Sequence, residues 1–171
     1  MRLLLAAALS MSFSGTVSAQ DYNSMSTDEL KSSLTSAHPA AYYILANKLF
    51  YSGKKDEAVF WFYAGQLRYR VHLACPLDQG KSGDAALFGS FSEVIGRPLN
   101  EYAFGDVDEA VKTIDAALEW DARNKNDFTS KTKCASQLAQ NRAGLQSLRD
   151  SMIKQADDIR AKRKANGLPN R

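Results

Sequence analysis

The side chains most capable of chemistry are two cysteines, Cys75 and Cys134, and two histidines, His38 and His72. Cysteine and histidine are the usual ligands of structural zinc, which is normally held by two closely spaced pairs of them. Here only His72 and Cys75 are closely spaced, three residues apart. A metal site of His38, His72 and Cys134 is therefore the less favoured interpretation, and the sequence predicts neither a metal nor another cofactor.

The two cysteines are better explained as a disulfide bridge. In an oxidising compartment, an isolated cysteine pair usually forms one. A bridge between Cys75 and Cys134 would close a loop of about 58 residues, which a chain-entropy model values at roughly 4 kcal/mol. A nucleophilic cysteine would instead need a reduced thiol beside a base, so we expect the bridge.

The N-terminal residues predict such an oxidising compartment. A basic start is followed by an apolar run from Leu3 to Phe13 and by small residues up to Ala19, which is the pattern of a cleavable secretory signal. An apolar run of about 11 residues is too short for a membrane span, which needs roughly 20. The sequence predicts a signal peptide at 1–19, cleavage after Ala19, and a single periplasmic domain at 20–171 without membrane insertion.

The sequence contains no motif of a common enzyme class. Gly-x-Ser-x-Gly, His-Glu-x-x-His and glycine-rich phosphate loops are all missing from it. Glu57 and Glu109 are conceivable as the carboxylate pair of a glycan hydrolase. Both, however, fall in the first turn of a predicted helix, where the helix dipole favours acidic side chains. We therefore predict a protein that is not an enzyme.

The charge balance argues against nucleic acid as a partner. The chain has a formal net charge of +3, whereas binding to phosphates needs a concentrated basic face. The one basic cluster stands beside two aspartates and is interpreted as a solvated helix end. It comprises Arg160, Lys162, Arg163 and Lys164.

Apolar residues recur with helical spacing and predict an all-α fold of about six helices. A Ser-x-x-Glu capping box at Ser26 starts the first helix, and Gly53 ends the second. The third, at about 54–74, is apolar on nearly every side and belongs at the centre of the domain. The last, at about 133–165, carries a heptad-like stripe that would pair with a second copy of the chain or pack on its own domain. Loops are expected at 78–83 and 124–131.

A seven-residue pattern occurs twice along the chain. The segment 53–59 matches the segment 105–111 at five of seven positions, each time at a helix–turn–helix junction. Glycine ends the first helix, the acids suit the first turn of the second, and the alanine lets the two helices approach closely. The pattern therefore predicts two similar helical junctions about 52 residues apart.

The first copy resembles a tetratricopeptide or Sel1-like repeat, with large and small residues at that family's packing positions. The second copy keeps only the junction and the following helix, and Arg70 stands where the family places a terminal proline. The resemblance covers about one and a half units. It implies a helical hairpin and a protein- or peptide-binding role. The matching residues are Tyr42, Leu45, Ala46, Gly53, Ala58, Phe62 and Gly65.

Two groups of residues are candidates for contact with a partner protein. Arg97, Asn100 and Glu101 fall in a segment crowded with glycine and proline, where a constrained loop would form a recognition surface. An inter-helix linker in which Arg97 pairs with Glu101 explains the same residues. Arg68 and Arg70 form the second group, because arginine and tyrosine are enriched at binding hot spots.

These features predict a periplasmic protein-binding module. By analogy with small, exported, disulfide-bridged helical antidotes, the most specific hypothesis is an immunity protein that neutralises a secreted toxin directed at the cell wall. A basic peptidoglycan enzyme is the expected target, reached by acidic residues such as Asp106, Asp108 and Glu109. A scaffold or adaptor in envelope assembly is the alternative, followed by a cell-wall enzyme.

Overall fold

The computed structural model describes residues 21–76 and 83–171. The predicted signal peptide, its cleavage site after Ala19 and the predicted loop at 78–82 lie outside the described residues. Within these two ranges all regular structure is helical, which confirms the all-α class. The helices are α1 (Thr27–Ser33), α2 (Ala40–Tyr51), α3 (Lys55–Ala74), α4 (Asp84–Phe91), α5 (Arg97–Ala103), α6 (Val107–Arg123), α7 (Ala135–Lys154) and α8 (Ala156–Ala165), with a π-helical turn (Ser92–Gly96) between α4 and α5.

Local sequence signals account for several helix ends. The Ser26 hydroxyl accepts a hydrogen bond from the Glu29 amide, and the Glu29 carboxylate accepts one from the Ser26 amide, which completes the predicted capping box. The Asp106 carboxylate accepts from the Glu109 amide and caps α6. Gly53 follows α2 with φ of 87°, a left-handed conformation that costs glycine little.

Helix α3 lies at the centre of the described fold, as its composition predicts. It packs against α2, α4, α5, α6 and α7. The approach of α2 is close because Gly65 has no side chain: a Cβ at this position would stand 2.5 Å from the Cβ of Tyr42. The helix-packing residues of the predicted hairpin are buried here, while its membership of the repeat family stays a prediction. They are Tyr42, Leu45, Ala46, Ala58, Phe62 and Gly65.

The predicted disulfide between Cys75 and Cys134 is confirmed. Cys75 directly follows α3 and Cys134 directly precedes α7. Both residues are buried. The bridge therefore joins the central helix to the C-terminal part of the chain across a separation of 59 residues.

The prediction of a single helix at 133–165 is wrong. The helix is interrupted at Gln155, which separates α7 from α8. The break turns α8 so that the Arg163 guanidinium reaches the carbonyl of Glu101 at 2.8 Å. The heptad-like stripe packs on the domain's own core, which was the second of the two options. Its members are Leu138, Leu145, Leu148, Met152 and Ile159.

The segment predicted as a constrained loop around Arg97 is also different. The π-helical turn continues directly into α5, with Pro98 in the first turn, where proline fits a helix. Gly96 permits this path because a Cβ there would stand 3.0 Å from the ring of Phe62. Arg97, Asn100 and Glu101 therefore lie on a helix, which fixes the spacing of their side chains along it.

Among the described helices, none combines the length and the apolar character needed to cross a membrane.

Candidate functional site

A groove between α5 and α8 brings together three of the five predicted partner-contact residues. Arg97, Asn100 and Glu101 all line one wall of it. The groove has a volume of about 510 Å³, and we call it the α5–α8 groove. Its other lining residues are Ser92, Glu93, Phe104, Ile159, Lys162, Arg163, Asn166 and Leu168.

The α5 wall combines fixed and accessible polar groups. The Asn100 side-chain oxygen accepts a hydrogen bond from the Tyr63 hydroxyl at 3.3 Å, which anchors it to the central helix. Arg97 is 74% exposed and pairs with Glu93 one turn earlier, so the predicted pairing with Glu101 is not the one observed. Glu101 is exposed. The side chains of Arg97 and Glu101 are therefore exposed at the mouth of the groove.

Arg163 holds the opposite wall in place. Its guanidinium is buried and donates to the carbonyls of Glu101 at 2.8 Å and Pro169 at 2.7 Å. Beyond it, the Arg171 amide donates to the Gly105 carbonyl at 2.7 Å, and its guanidinium lies 3.7 Å from the centre of the Tyr102 ring. These contacts tie α8 and the residues after it to α5.

The floor of the α5–α8 groove continues into an apolar depression of about 260 Å³. Phe104 and Ile159 belong to both. Leu148, Ser151, Met152 and Gln155 complete the depression. The combined surface thus has an apolar centre beside a charged margin, the arrangement common at protein–protein interfaces.

Arg70 lies in a separate groove between α3 and α7. This groove has a volume of about 290 Å³ and is lined by Gln66, Gln140 and Asn141 beside Leu145. Arg70 is exposed, and its guanidinium lies 5.5 Å from the centre of the Phe88 ring. The prediction that Arg70 is available for contact therefore agrees with its position, but it is not part of the α5–α8 groove.

Arg68, the other member of that predicted pair, is not on a surface. It is 2% exposed and points from α3 towards α6, where Nε donates to Asp121 at 3.1 Å. Nη1 donates to the Tyr42 hydroxyl at 2.6 Å, and the guanidinium stacks 4.4 Å from the Trp120 ring. Its prediction as a partner-contact residue is corrected: burial assigns it to the core.

Three positively charged side chains contact the buried carboxylate of Asp121. Arg68 lies 3.1 Å from one carboxylate oxygen, and Arg142 and Lys131 each lie 3.3 Å from the other. Burial lowers the pKa of Lys131, although the nearby Asp121 carboxylate opposes this shift. The cluster joins α3, α6 and α7 through the segment that follows α6, and its role is to hold the fold.

The two histidines do come together, but with a partner that the sequence did not indicate. The His38 and His72 rings lie 5.3 Å apart, and Nε2 of each contacts Oδ2 of Asp84, at 3.3 Å and 2.7 Å respectively. Cys134, the third ligand weighed from the sequence, is instead bound to Cys75. Asp84 was missed because it looks like an ordinary acid in the first turn of a helix.

Glu57 and Glu109 each have a local structural partner. Glu57 pairs with Lys31 at 2.5 Å and accepts from the Trp61 indole, while Glu109 pairs with Lys112 at 3.4 Å. The hydrogen bond from Lys31 lowers the pKa of Glu57. A general acid for glycan hydrolysis needs a raised pKa, and the contact with Lys31 acts in the opposite direction.

Comparison with known proteins yields one partial likeness. A Haemophilus influenzae protein, described as uncharacterised, is 33% identical over 87 residues, which cover 48% of this chain. The match covers 32% of that protein, so this chain aligns with about a third of its length. No protein-family model and no solved structure matches the chain.

Proposed function

We propose that this protein is a non-enzymatic protein-binding module of the periplasm, and specifically an immunity protein that neutralises a secreted toxin directed at the cell wall. The observation that carries the binding role is the α5–α8 groove. It presents Arg97 and Glu101 beside the apolar surface of Phe104 and Ile159. Such a surface suits a folded protein partner, whose apolar side chains fill the centre while its charges meet the margin.

The rigidity of the groove supports the same role. Tyr63 anchors Asn100 from below, and Arg163 ties α8 to α5 through two backbone carbonyls. A surface that is already ordered loses less conformational entropy on association. An antidote must bind tightly and quickly, and a pre-formed groove favours both.

Charge provides a second element of recognition. The start of α6 is acidic, and Asp108 and Glu109 are exposed there. Asp108 pairs with Arg160 of α8 at 3.2 Å, which places this acidic segment on the side of the molecule where α8 packs. A basic cell-wall enzyme would bind this segment by replacing Arg160 and Lys112 as the partners of Asp108 and Glu109, and opposite charges speed the encounter of two proteins.

The proposal is tested by neutralisation. Products of neighbouring genes are directed to the periplasm of a sensitive strain, alone and together with this protein. We expect one of them to be toxic alone and harmless when this protein is present. If no neighbouring product is toxic, or if toxicity persists with this protein, the immunity proposal is contradicted.

A matched pair of charge reversals then tests the groove. Arg97→Glu changes its mouth, whereas Arg123→Glu changes an equally exposed arginine that also pairs with a glutamate one turn earlier. We expect Arg97→Glu to weaken binding of the toxin about tenfold or more, which corresponds to about 1.4 kcal/mol. Arg123→Glu should leave the affinity unchanged. Equal effects of the two variants would contradict the groove as the binding surface.

The α3–α7 groove favours a second candidate, a scaffold or adaptor in envelope assembly. It lies on α3, the second helix of the repeat-like hairpin, and offers Arg70 with the amides of Gln140 and Asn141. Those groups suit the backbone of an extended peptide. Recovery of a resident envelope protein whose binding is lost in Arg70→Glu, and not in Arg97→Glu, would favour this candidate.

A further inference from the structure

We propose that His38, His72 and Asp84 bind a divalent transition-metal ion of the zinc class. One oxygen of Asp84 lies 3.3 Å from Nε2 of His38 and 2.7 Å from Nε2 of His72, and the three ligand atoms all lie within 4.8 Å of one another. In a tetrahedral site with bonds of roughly 2.0–2.1 Å, ligand atoms stand about 3.3 Å apart. Small side-chain movements therefore suffice to place an ion between them.

The three ligands come from separate elements that are held firmly together. His38 lies just before α2, His72 in the last turn of α3, and Asp84 is the first residue of α4. The Cys75–Cys134 bridge fixes the end of α3 three residues after His72. The Tyr69 hydroxyl also donates to the backbone carbonyl of Asp84 at 3.3 Å. An ion would thus meet a largely pre-formed site.

The ligand types select the class of metal. Two imidazoles and one carboxylate suit zinc and its neighbours, whereas calcium and magnesium prefer sets of oxygen ligands. Three protein ligands leave the fourth tetrahedral position for water or for another molecule. Sites of this composition differ from closed structural zinc sites, which usually have four protein ligands.

Access and surroundings also fit an ion. The His38 side chain is 22% exposed and that of Asp84 is 17% exposed, while His72 is nearly buried at 3%. Solvent therefore reaches one side of the cluster. Two aromatic rings pack against the histidines: the ring centre of Phe128 lies 5.1 Å from that of His38 and 5.2 Å from that of His72, and the ring centre of Tyr69 lies 5.4 Å from that of His38. An apolar surround strengthens the attraction between the ion and the carboxylate.

The position of the ring proton on His38 affects how readily this residue can bind a metal ion. The Ala40 amide donates to Nδ1 of His38 at 3.1 Å, so the neutral ring carries its proton on Nε2 and donates it to Asp84. Ligation through Nε2 requires that this proton leave or move to Nδ1, at the expense of the Ala40 contact. His38 is therefore the ligand with the highest cost, and we expect its loss to weaken binding less than the loss of Asp84.

The test uses the protein without a histidine tag and with its disulfide intact. The chain has two histidines, and both cysteines are in the bridge. Any imidazole coordination therefore reports on this cluster. Zn²⁺ is titrated calorimetrically, and Co²⁺ is titrated by its visible absorption, which intensifies in tetrahedral sites. We expect one ion per chain and a tetrahedral Co²⁺ spectrum.

Asp84→Asn is the decisive variant, because it preserves the shape of the side chain. Loss of a second-shell partner costs metal sites roughly 10–100-fold in affinity, and loss of this direct ligand should cost at least as much. Asp157→Asn removes a fully exposed carboxylate in the first turn of α8 and should leave the affinity unchanged. Stoichiometric binding retained in Asp84→Asn, or equal losses in both variants, would overturn the proposal.

A measurement on the unaltered protein covers the case in which Asp84→Asn fails to fold. Nitrogen NMR resonances of the two histidine rings are followed as Zn²⁺ is added. We expect the Nε2 resonances of His38 and His72 to shift together, saturating at one equivalent. If neither resonance moves at excess Zn²⁺, no such site exists.

Discussion

Arg68 was interpreted from the sequence as a surface residue but is buried in the structure. An arginine beside a tyrosine is a reasonable surface hot spot when only the sequence is known. In the fold it faces α6 and meets Asp121, which could not be foreseen because the two residues are 53 positions apart. Asp84 was not linked to the two histidines for the same reason, because the three residues lie in separate parts of the sequence. In contrast, Asn100 and Arg97 were candidates from the sequence because their local segment is unusual in composition.

The buried carboxylate of Asp121 makes a strong stability prediction. Asp121→Asn would leave the buried guanidinium of Arg68 without its countercharge, which typically costs about 3–5 kcal/mol. Asp115→Asn, on the same helix, removes a half-exposed carboxylate that pairs with Arg149, and exposed pairs of this kind contribute roughly 0–1 kcal/mol. Urea unfolding of both variants measures the difference. Equal losses of stability would show that the Asp121 cluster contributes no more than a surface pair.

Buried tyrosines predict how stability depends on alkaline pH. Burial raises the pKa of Tyr42, Tyr43, Tyr63 and Tyr69 well above 10.0. The unfolded chain therefore loses these protons first, and ionisation favours the unfolded state. These tyrosines should not change the free energy of unfolding below about pH 10, and that free energy should fall as the pH rises above it. Tyrosinate absorbance and circular dichroism measured together should change in one transition. Full ionisation of these tyrosines in a folded protein would contradict this prediction.

At the scale of elements, the crossing of α2 and α3 depends on Gly65. Gly65→Ala would bring the new Cβ within 2.5 Å of the Tyr42 Cβ, so the helices must move apart. Overpacking of this kind costs typically about 1–3 kcal/mol. Gly89→Ala is the control, since no atom lies within 4 Å of its added Cβ, and alanine stabilises a helix relative to glycine by up to about 1 kcal/mol. We expect thermal midpoints to move in opposite directions, and a stabilised Gly65→Ala would refute the close crossing.

Helix boundaries separate what local sequence can predict from what it cannot. The starts at Ser26 and Asp106 follow from capping side chains, and the stop at Gly53 follows from the left-handed backbone that glycine adopts there. The break at Gln155 has no glycine or proline to signal it. It accompanies the reach of Arg163 to the Glu101 carbonyl, a contact between residues 62 positions apart. The π-helical turn before α5 likewise accompanies the tight approach of Gly96 to Phe62.

At the scale of the whole molecule, the sequence predicts the helical class, the central place of α3 and the disulfide. The first two follow from composition and apolar pattern. The third follows because the chain has two cysteines, so each has one possible partner. The α5–α8 groove was only half predictable. Arg97, Asn100 and Glu101 of its α5 wall were candidates from the sequence, although as part of a loop, whereas its α8 wall exists because the last helix turns back. The histidine cluster required three distant elements to meet and was not predictable from spacing.

The α5–α8 groove lies beside the C-terminal helix of a disulfide-bridged helical domain. We propose that a protein partner docks in the α5–α8 groove, and that this partner is a toxin.

Site-specific photo-crosslinking in the native host tests this claim most directly. A photoreactive phenylalanine replaces Arg97 in one strain and Arg123 in another, because these arginines have nearly equal exposure, 74% and 73%. We predict one dominant adduct from position 97 and none from position 123. The captured protein should be toxic in the periplasm alone and harmless with this chain. Identical adducts from both positions, no adduct from position 97, or a captured protein without toxicity would contradict the claim.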